Sequence, residues 1–197
     1  MTTETPLLKL TKLAAAQRQL RTAITLWFTD GDPVSAHALA FAAYEVLHTI
    51  SKKRNKYRRD LLFDSDLIKD EYRSAWNIRL KKEAYFFKHA DRDPDAEIEF
   101  NPEATWGFIL YALLGRELCG EPPSEEESTF IWWLQIHEPH LLTEEGRKFM
   151  ADHMPVEVLD QVRGYSKPVF FQAFKEAQHL ARLGRGPRIG TPRIHMV

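Results

Sequence analysis

One short segment, residues 85–99, contains the densest set of side chains that could bind a metal ion. His89 is followed by an acidic residue at every second position, beginning with Asp91 and Asp93. Imidazole nitrogens and carboxylate oxygens together suit zinc, iron or manganese. A calcium loop of the helix–loop–helix type is disfavoured, because Ala96 replaces its turn glycine and the final bidentate glutamate is missing. The segment therefore predicts a divalent metal site, with a solvated acidic turn as the alternative.

An earlier segment could add further ligands, because it carries polar side chains on an otherwise apolar helix. His37 and His48 are eleven residues apart, close to three whole helical turns, so they share one face with Tyr44. Buried polar groups need partners, and we expect this face to meet the acidic segment in a pocket for a metal or a small polar ligand. Glu45 is a candidate general base. The residues predicted to form the pocket are His37, Tyr44, His48, His89, Asp91 and Asp93. Hydrogen-bonded structural histidines are the alternative interpretation.

A basic cluster, residues 52–59, indicates a different kind of ligand. Six of its eight residues are cationic, and one tyrosine lies among them. Such a cluster could contact phosphates while the aromatic ring stacks on a base. The side chains concerned are Lys52, Lys53, Arg54, Lys56, Tyr57, Arg58 and Arg59. Cations also stabilise the C-terminus of a helix, so a nucleic-acid-interacting protein is the second hypothesis rather than the first.

The spacing of Arg147 and His153 resembles the arginine–histidine pattern of the helical HEPN ribonucleases. In that family the two residues lie on one helix and cleave RNA through its 2′-hydroxyl, so the resemblance implies ribonuclease activity. It covers only this short stretch, and Lys148 stands where the family usually has a polar uncharged or acidic residue. Short matches of this kind often arise by chance.

The composition describes an ordinary globular chain. Its 197 residues are 44% hydrophobic and 28% charged, with a net charge of −1, so no overall charge attracts nucleic acid or membranes. The single cysteine, Cys119, excludes an intrachain disulfide and favours a reducing cytoplasm. We find no signal peptide, and no stretch reaches the about 18 apolar residues of a membrane span. No dinucleotide, phosphate-loop or hydrolase motif occurs. We therefore expect a cytoplasmic protein.

The hydrophobic pattern is helical and predicts an all-α bundle of six to eight helices. The second helix, residues 34–53, is apolar on almost every side and is expected at the centre, with the fourth and fifth helices around it. One domain is predicted for residues 1–183, followed by an extended basic tail over residues 184–197. Adjacent Trp132 and Trp133 in an aromatic-rich chain make a homodimer the expected assembly.

Capping signals predict where several helices begin and end. Ser65 is expected to cap a third helix that runs to His89. Ser124 with Glu127 has the spacing of a capping box for the fifth helix. Pro139 must break or kink that helix, because proline removes a backbone donor.

Two stretches, residues 31–47 (GDPVSAHALAFAAYEVL) and 86–100 (FFKHADRDPDAEIEF), resemble segments of a family of bacterial proteins to which no activity is assigned. The likeness covers the first half of the chain. It implies a bacterial origin and a helical fold, and it carries no site residues.

Overall fold

The structure is a computed structural model that describes residues 7–54, 62–65, 67–91, 93–120 and 122–185. Within these ranges the chain forms eight α-helices and no β-strand, so the predicted all-α fold is confirmed. The helices are α1 (Lys12–Phe28), α2 (Pro33–Arg54), α3 (Asp70–Phe86), α4 (Thr105–Glu117), α5 (Glu125–His137), α6 (Glu144–His153), α7 (Val156–Arg163) and α8 (Lys167–Arg182). None of them combines the length and apolarity needed to cross a lipid bilayer.

Helix α2 occupies the centre of the bundle, as its apolar surface predicts. It packs most extensively against α1 and α4, and it buries Phe41, Tyr44 and Leu47 completely. Gly115 of α4 lies directly on α2, since a Cβ added there would be 3.4 Å from the Leu47 Cβ. The fifth helix does not share this position: α5 packs chiefly against α8 and α1.

Helix α3 begins later and ends earlier than its sequence predicts. It starts at Asp70, and Ser65 belongs to the turn before it. The Arg73 guanidinium fixes that turn by donating to the carbonyl oxygens of Ser65 and Ile68, at 2.9 and 2.7 Å. Among the described residues of α3 only Ala84 is buried. This helix is therefore attached to the bundle by a narrow strip of contacts.

The predicted ends of α5 are confirmed. The Ser124 hydroxyl accepts the Glu127 N–H, and the Glu127 carboxylate accepts the Ser124 N–H, which completes the capping box. Glu127 also pairs with Arg116 of α4 at 3.1 Å, with both side chains buried. The helix ends at His137, two residues before Pro139.

The turn that ends α8 includes two residues that the sequence assigns to the tail. Gly184 has a φ of 66°, a left-handed conformation that glycine adopts without strain. The Arg185 N–H then bonds the Leu180 carbonyl at 2.9 Å, as in a typical helix-terminating turn. Residues 186–197 of the predicted tail lie outside the described part of the chain.

Candidate functional site

The two histidines of α2 are buried, but they lie toward opposite ends of the helix. His37 is 1% exposed and His48 is 8% exposed. An α-helix rises about 1.5 Å per residue, so eleven residues separate their Cα atoms by roughly 16 Å. The two imidazoles consequently have different surroundings and cannot contact one small ligand together.

His48 and Tyr44 hold the 3₁₀ turn Leu62–Asp64 that precedes α3. His48 Nε2 lies 3.1 Å from Asp64 Oδ2, and Lys52 Nζ lies 2.8 Å from the same oxygen. The Tyr44 hydroxyl accepts the Phe63 N–H at 2.9 Å. At this end of α2 the polar side chains thus form a structural hydrogen-bond network.

Burial and pairing together determine the charges of this network. Burial lowers the pKa of His48, although the negative charge of Asp64 acts to raise it. Burial raises the pKa of Asp64, but Lys52 and His48 together hold that pKa below its usual value. Burial also raises the pKa of Tyr44. At neutral pH the network therefore contains a neutral imidazole, a carboxylate and a protonated phenol.

His89 lies apart from both α2 histidines, on an open surface. Its side chain is 58% exposed, and its Nδ1 is 3.8 Å from Asp91 Oδ1. Together with Asp93 these residues line an open cleft of about 520 Å³. Over the described ranges, no group of three or more His, Cys, Asp or Glu side chains is arranged to hold a metal ion. The structure thus distributes the six predicted pocket residues over three places.

Glu45, the candidate general base, is half-buried on α2. Its carbonyl oxygen accepts the Thr49 hydroxyl at 2.8 Å. Within the part of the chain that the structure describes, its carboxylate has no hydrogen-bond or ion-pair partner. The structure therefore supplies no group that would orient it for proton transfer.

The basic cluster is described only in part. Lys52 is paired with Asp64, whereas Lys53 and Arg54 are exposed at the C-terminus of α2. This is the position where cations stabilise a helix. The remaining predicted contacts, Lys56, Tyr57, Arg58 and Arg59, lie outside the described residues.

Arg147 and His153 lie on α6 as a HEPN-like site requires, but each has a local contact. Arg147 Nη1 donates to the Leu142 carbonyl at 2.6 Å and so helps to fix the start of α6. His153 Nδ1 lies 2.8 Å from the Phe149 carbonyl, and its ring stacks on the Phe149 ring. These contacts give both residues a structural role.

A cleft that the sequence did not indicate lies where α2, α3 and α4 meet. We call it the His37 cleft. It has a volume of about 300 Å³, and its polar lining consists of His37, Arg79, Glu83, Asn101 and Tyr111. Two weak signals for it exist in the sequence: the four-residue spacing of Arg79 and Glu83, and a glycine inside the apolar helix α4.

His37 is the most deeply buried polar residue of this cleft. Its Nδ1 lies 3.2 Å from the Thr105 hydroxyl. The ring centroids of Phe87, Phe100 and Phe108 lie 5.0 to 5.9 Å from the centroid of the imidazole. Burial lowers the pKa of His37, so the ring is neutral at pH 7. Its Nε2 is buried and has no hydrogen-bond partner among the described residues. Such an unpaired atom typically costs about 1–3 kcal/mol.

The α4 wall of the His37 cleft is open at Gly107. A Cβ built at this glycine meets no atom within 4 Å. Opposite lies α3, whose Arg79 is exposed and whose Glu83 is half-buried. Burial raises the pKa of Tyr111, so its phenol stays protonated at neutral pH. The cleft therefore offers a neutral imidazole, a phenol and two opposite charges around an unfilled space.

Comparison of the chain with protein-family models, with curated proteins and with solved structures finds no match. The resemblance to a bacterial helical family therefore stays a prediction, and the functional argument depends on the geometry alone.

Proposed function

We propose that this protein binds a small amphipathic organic molecule in the His37 cleft. The observation that carries the proposal is the buried, unpaired Nε2 of His37, on a residue that lines the cleft. Buried polar atoms in folded proteins almost always have a partner. A polar group of the bound molecule supplies that partner once the cleft opens enough to uncover the atom, which is closed to solvent in the structure.

The size and lining of the cleft support a ligand of this kind. Its volume of about 300 Å³ corresponds to the lower end of the range for small-molecule sites. Leu62, Leu80, Phe100 and Phe108 form apolar walls around the few polar groups. Ligand sites generally combine apolar walls with a small number of polar anchors. The molecule therefore combines an apolar body with polar groups at its ends.

This proposal retains the small polar ligand predicted from the sequence but places it at a different set of residues. A zinc, iron or manganese ion at His89, Asp91 and Asp93 has weaker support, because these side chains face solvent. Nucleic-acid binding by the basic cluster has less support, because Lys52 pairs with Asp64 and four of its seven predicted contacts lie outside the described residues. The small-ligand hypothesis is therefore the one we carry forward.

We also propose a cytoplasmic location and a homodimer. The single cysteine, Cys119, fits a reducing compartment. On α3 the side chains of Tyr72 and Ile78 are exposed, which a second copy of the chain would cover. Lys82 and Asp91 line one surface cleft, so a twofold axis could pair the basic group of each copy with the acidic group of the other.

Nuclear magnetic resonance of the histidine rings tests the ligand proposal directly. In protein with ¹⁵N-labelled histidine, we expect phenol to shift the Nε2 resonance of His37 saturably, because its hydroxyl can bond that nitrogen. A Gly107→Leu variant should lose the response, since the new side chain fills the cleft. Leucine also has a higher helix propensity than glycine by about 0.8 kcal/mol, so we expect the variant to remain folded.

Two controls make the result specific. Gly164→Leu introduces the same side chain at an exposed position, where an added Cβ meets only the Gln161 carbonyl at 3.5 Å, and it should leave the response unchanged. The exposed ring of His140 should not respond to phenol. An equal shift of His37 in wild type and in Gly107→Leu, or no shift in either, would contradict the proposal.

A further inference from the structure

Arg79 and Glu83, two opposite charges that line the His37 cleft, have no partners among the described residues. Neither makes an ion pair or a side-chain hydrogen bond within that part of the chain. They are four positions apart on α3, so their Cβ atoms are about 5–6 Å from each other. One ligand carrying a carboxylate and an ammonium on the same carbon atom can contact both side chains at once. Charge-assisted hydrogen bonds of this type are strong and directional.

His37, the most deeply buried polar residue that lines the cleft, selects a different group. If His37 Nδ1 carries the proton and donates to Thr105, then Nε2 is an unpaired acceptor. If Thr105 donates to Nδ1, then Nε2–H is an unpaired donor. A hydroxyl group can both donate and accept, so it satisfies either tautomer. An amine cation or a carboxylate would satisfy only one of them.

Most of the remaining lining of the cleft is apolar and partly aromatic. Phe100 and Phe108 line the cleft beside His37, and the opening at Gly107 leaves space between them and α3. Aromatic rings pack well in offset or edge-on contact with other rings. A volume of about 300 Å³ has room for one aromatic ring on a short polar chain.

From these three features we infer that the ligand is an aromatic α-amino-acid zwitterion with a hydroxyl group on its ring. Its carboxylate binds Arg79, its ammonium binds Glu83, and its ring hydroxyl bonds His37 Nε2. The inference rests on the proposed function and adds the class of molecule to it.

Titration calorimetry with L-tyrosine as the probe tests this assignment. Three analogues each lack one group: tyramine lacks the carboxylate, 3-(4-hydroxyphenyl)propionate lacks the ammonium, and L-phenylalanine lacks the hydroxyl. We expect each analogue to bind at least about tenfold more weakly than L-tyrosine, because each leaves one cleft group unpaired. Gly107→Leu should abolish binding of all four compounds.

Substitutions of Arg79 and Glu83 test which ligand group each side chain binds. Arg79→Gln should weaken L-tyrosine to the affinity of tyramine and leave tyramine itself unchanged, since tyramine has no carboxylate to lose. Glu83→Gln should weaken L-tyrosine to the affinity of 3-(4-hydroxyphenyl)propionate and leave the affinity of 3-(4-hydroxyphenyl)propionate itself unchanged, since that compound has no ammonium to lose. Glu71→Gln is the matched control, because Glu71 is an exposed residue of the same helix that does not line the cleft, and it should have no effect.

The outcomes separate the inference from the function on which it rests. Equal binding of L-tyrosine and 3-(4-hydroxyphenyl)propionate would overturn the zwitterion, and equal binding of L-phenylalanine would overturn the hydroxyl contact. If phenol shifts the His37 resonance but L-tyrosine does not bind, the ligand class is wrong and the proposed function stands. If neither compound binds wild-type protein, both proposals are wrong.

Discussion

A buried histidine takes its role from the contacts of its two ring nitrogens. His48 Nε2 is paired with Asp64, and that contact ties α2 to the turn before α3. His37 is paired through Nδ1 with Thr105 and leaves Nε2 without a described partner. Two side chains of one type on one helix therefore differ in their contacts: the first stabilises the fold, and the second is the one to which we assign the proposed ligand.

The burial of both histidines predicts that the free energy of unfolding decreases in mild acid. Burial lowers the pKa of His37 and of His48. A histidine with a depressed folded-state pKa stabilises the fold above the unfolded-state pKa of about 6.5, and this contribution is lost as the pH falls through the folded-state value. We expect the free energy of unfolding in urea to decrease between about pH 7 and pH 5. Each pKa unit of depression corresponds to about 1.4 kcal/mol.

A substitution at His48 identifies its part of that dependence. His48→Gln can still bond Asp64 but does not titrate, so its stability should change less with pH than that of wild type. His140→Gln removes an exposed histidine and should keep the wild-type pH dependence. Asp64 does not interfere, because its lowered pKa places its protonation below this pH range. A His48→Gln protein with the wild-type dependence would refute the assignment.

Sequence could identify His37 as an inward-facing polar residue, but it could not identify the residues across the cleft. Helical spacing places His37 on the buried face of α2, and the structure confirms this burial. Arg79 and Glu83 look like ordinary surface charges, because nothing in their spacing states which helix lies opposite. That information depends on how α3 packs, and α3 has too narrow an apolar strip to determine its own orientation.

At the scale of helices, side-chain caps differ in strength even where the sequence signals look similar. Ser124 at the start of α5 bonds the Glu127 N–H, and the Glu127 carboxylate returns a bond to Ser124. Ser166 precedes α8, but its side chain makes no capping hydrogen bond. The two serines therefore form a natural pair for measuring what the capping bond contributes.

We expect Ser124→Ala to lower the free energy of unfolding by about 1 kcal/mol, because an orphan N–H of α5 loses its acceptor. Ser166→Ala should change the free energy by only a few tenths of a kcal/mol, since no such bond is lost. Urea denaturation of the two variants beside wild type measures both values. Equal losses in the two variants would show that the capping bond is not the cause.

Strong local signals made some helix ends predictable, whereas long-range contacts set others. The capping box of α5 is encoded within four residues, and its prediction is confirmed. The start of α3 at Asp70 depends on Arg73, which holds the preceding turn through the Ser65 and Ile68 carbonyls. That arrangement competes with helix extension toward Ser65, and capping preferences alone do not reveal it.

For the molecule as a whole, the exposed apolar side chains of α3 are the reason to expect a homodimer, because Trp132, from which the sequence predicted one, is buried. Ile78 is 70% exposed in the middle of that helix. We expect Ile78→Glu to shift the mass measured by light scattering toward that of one chain, because the charges of two copies would face each other. Val156 of α7 is similarly exposed, at 67%.

Val156→Glu therefore serves as the matched control and should leave the mass unchanged. Both variants should keep the helical circular dichroism of the wild type, since neither residue is buried. A wild-type protein with the mass of a single chain would rule out the dimer, and dissociation of the Val156→Glu variant alone would move the interface to α7.

For the ligand proposed in the His37 cleft, the close contact of Gly115 with Leu47 bears on how that molecule enters and leaves. The contact joins α2 and α4 without an intervening side chain, so two walls of the His37 cleft move together. The third wall, α3, buries only Ala84 among its described residues. We therefore expect the proposed ligand to reach the buried imidazole through outward motion of α3, and its residence time to vary with the local stability of that helix.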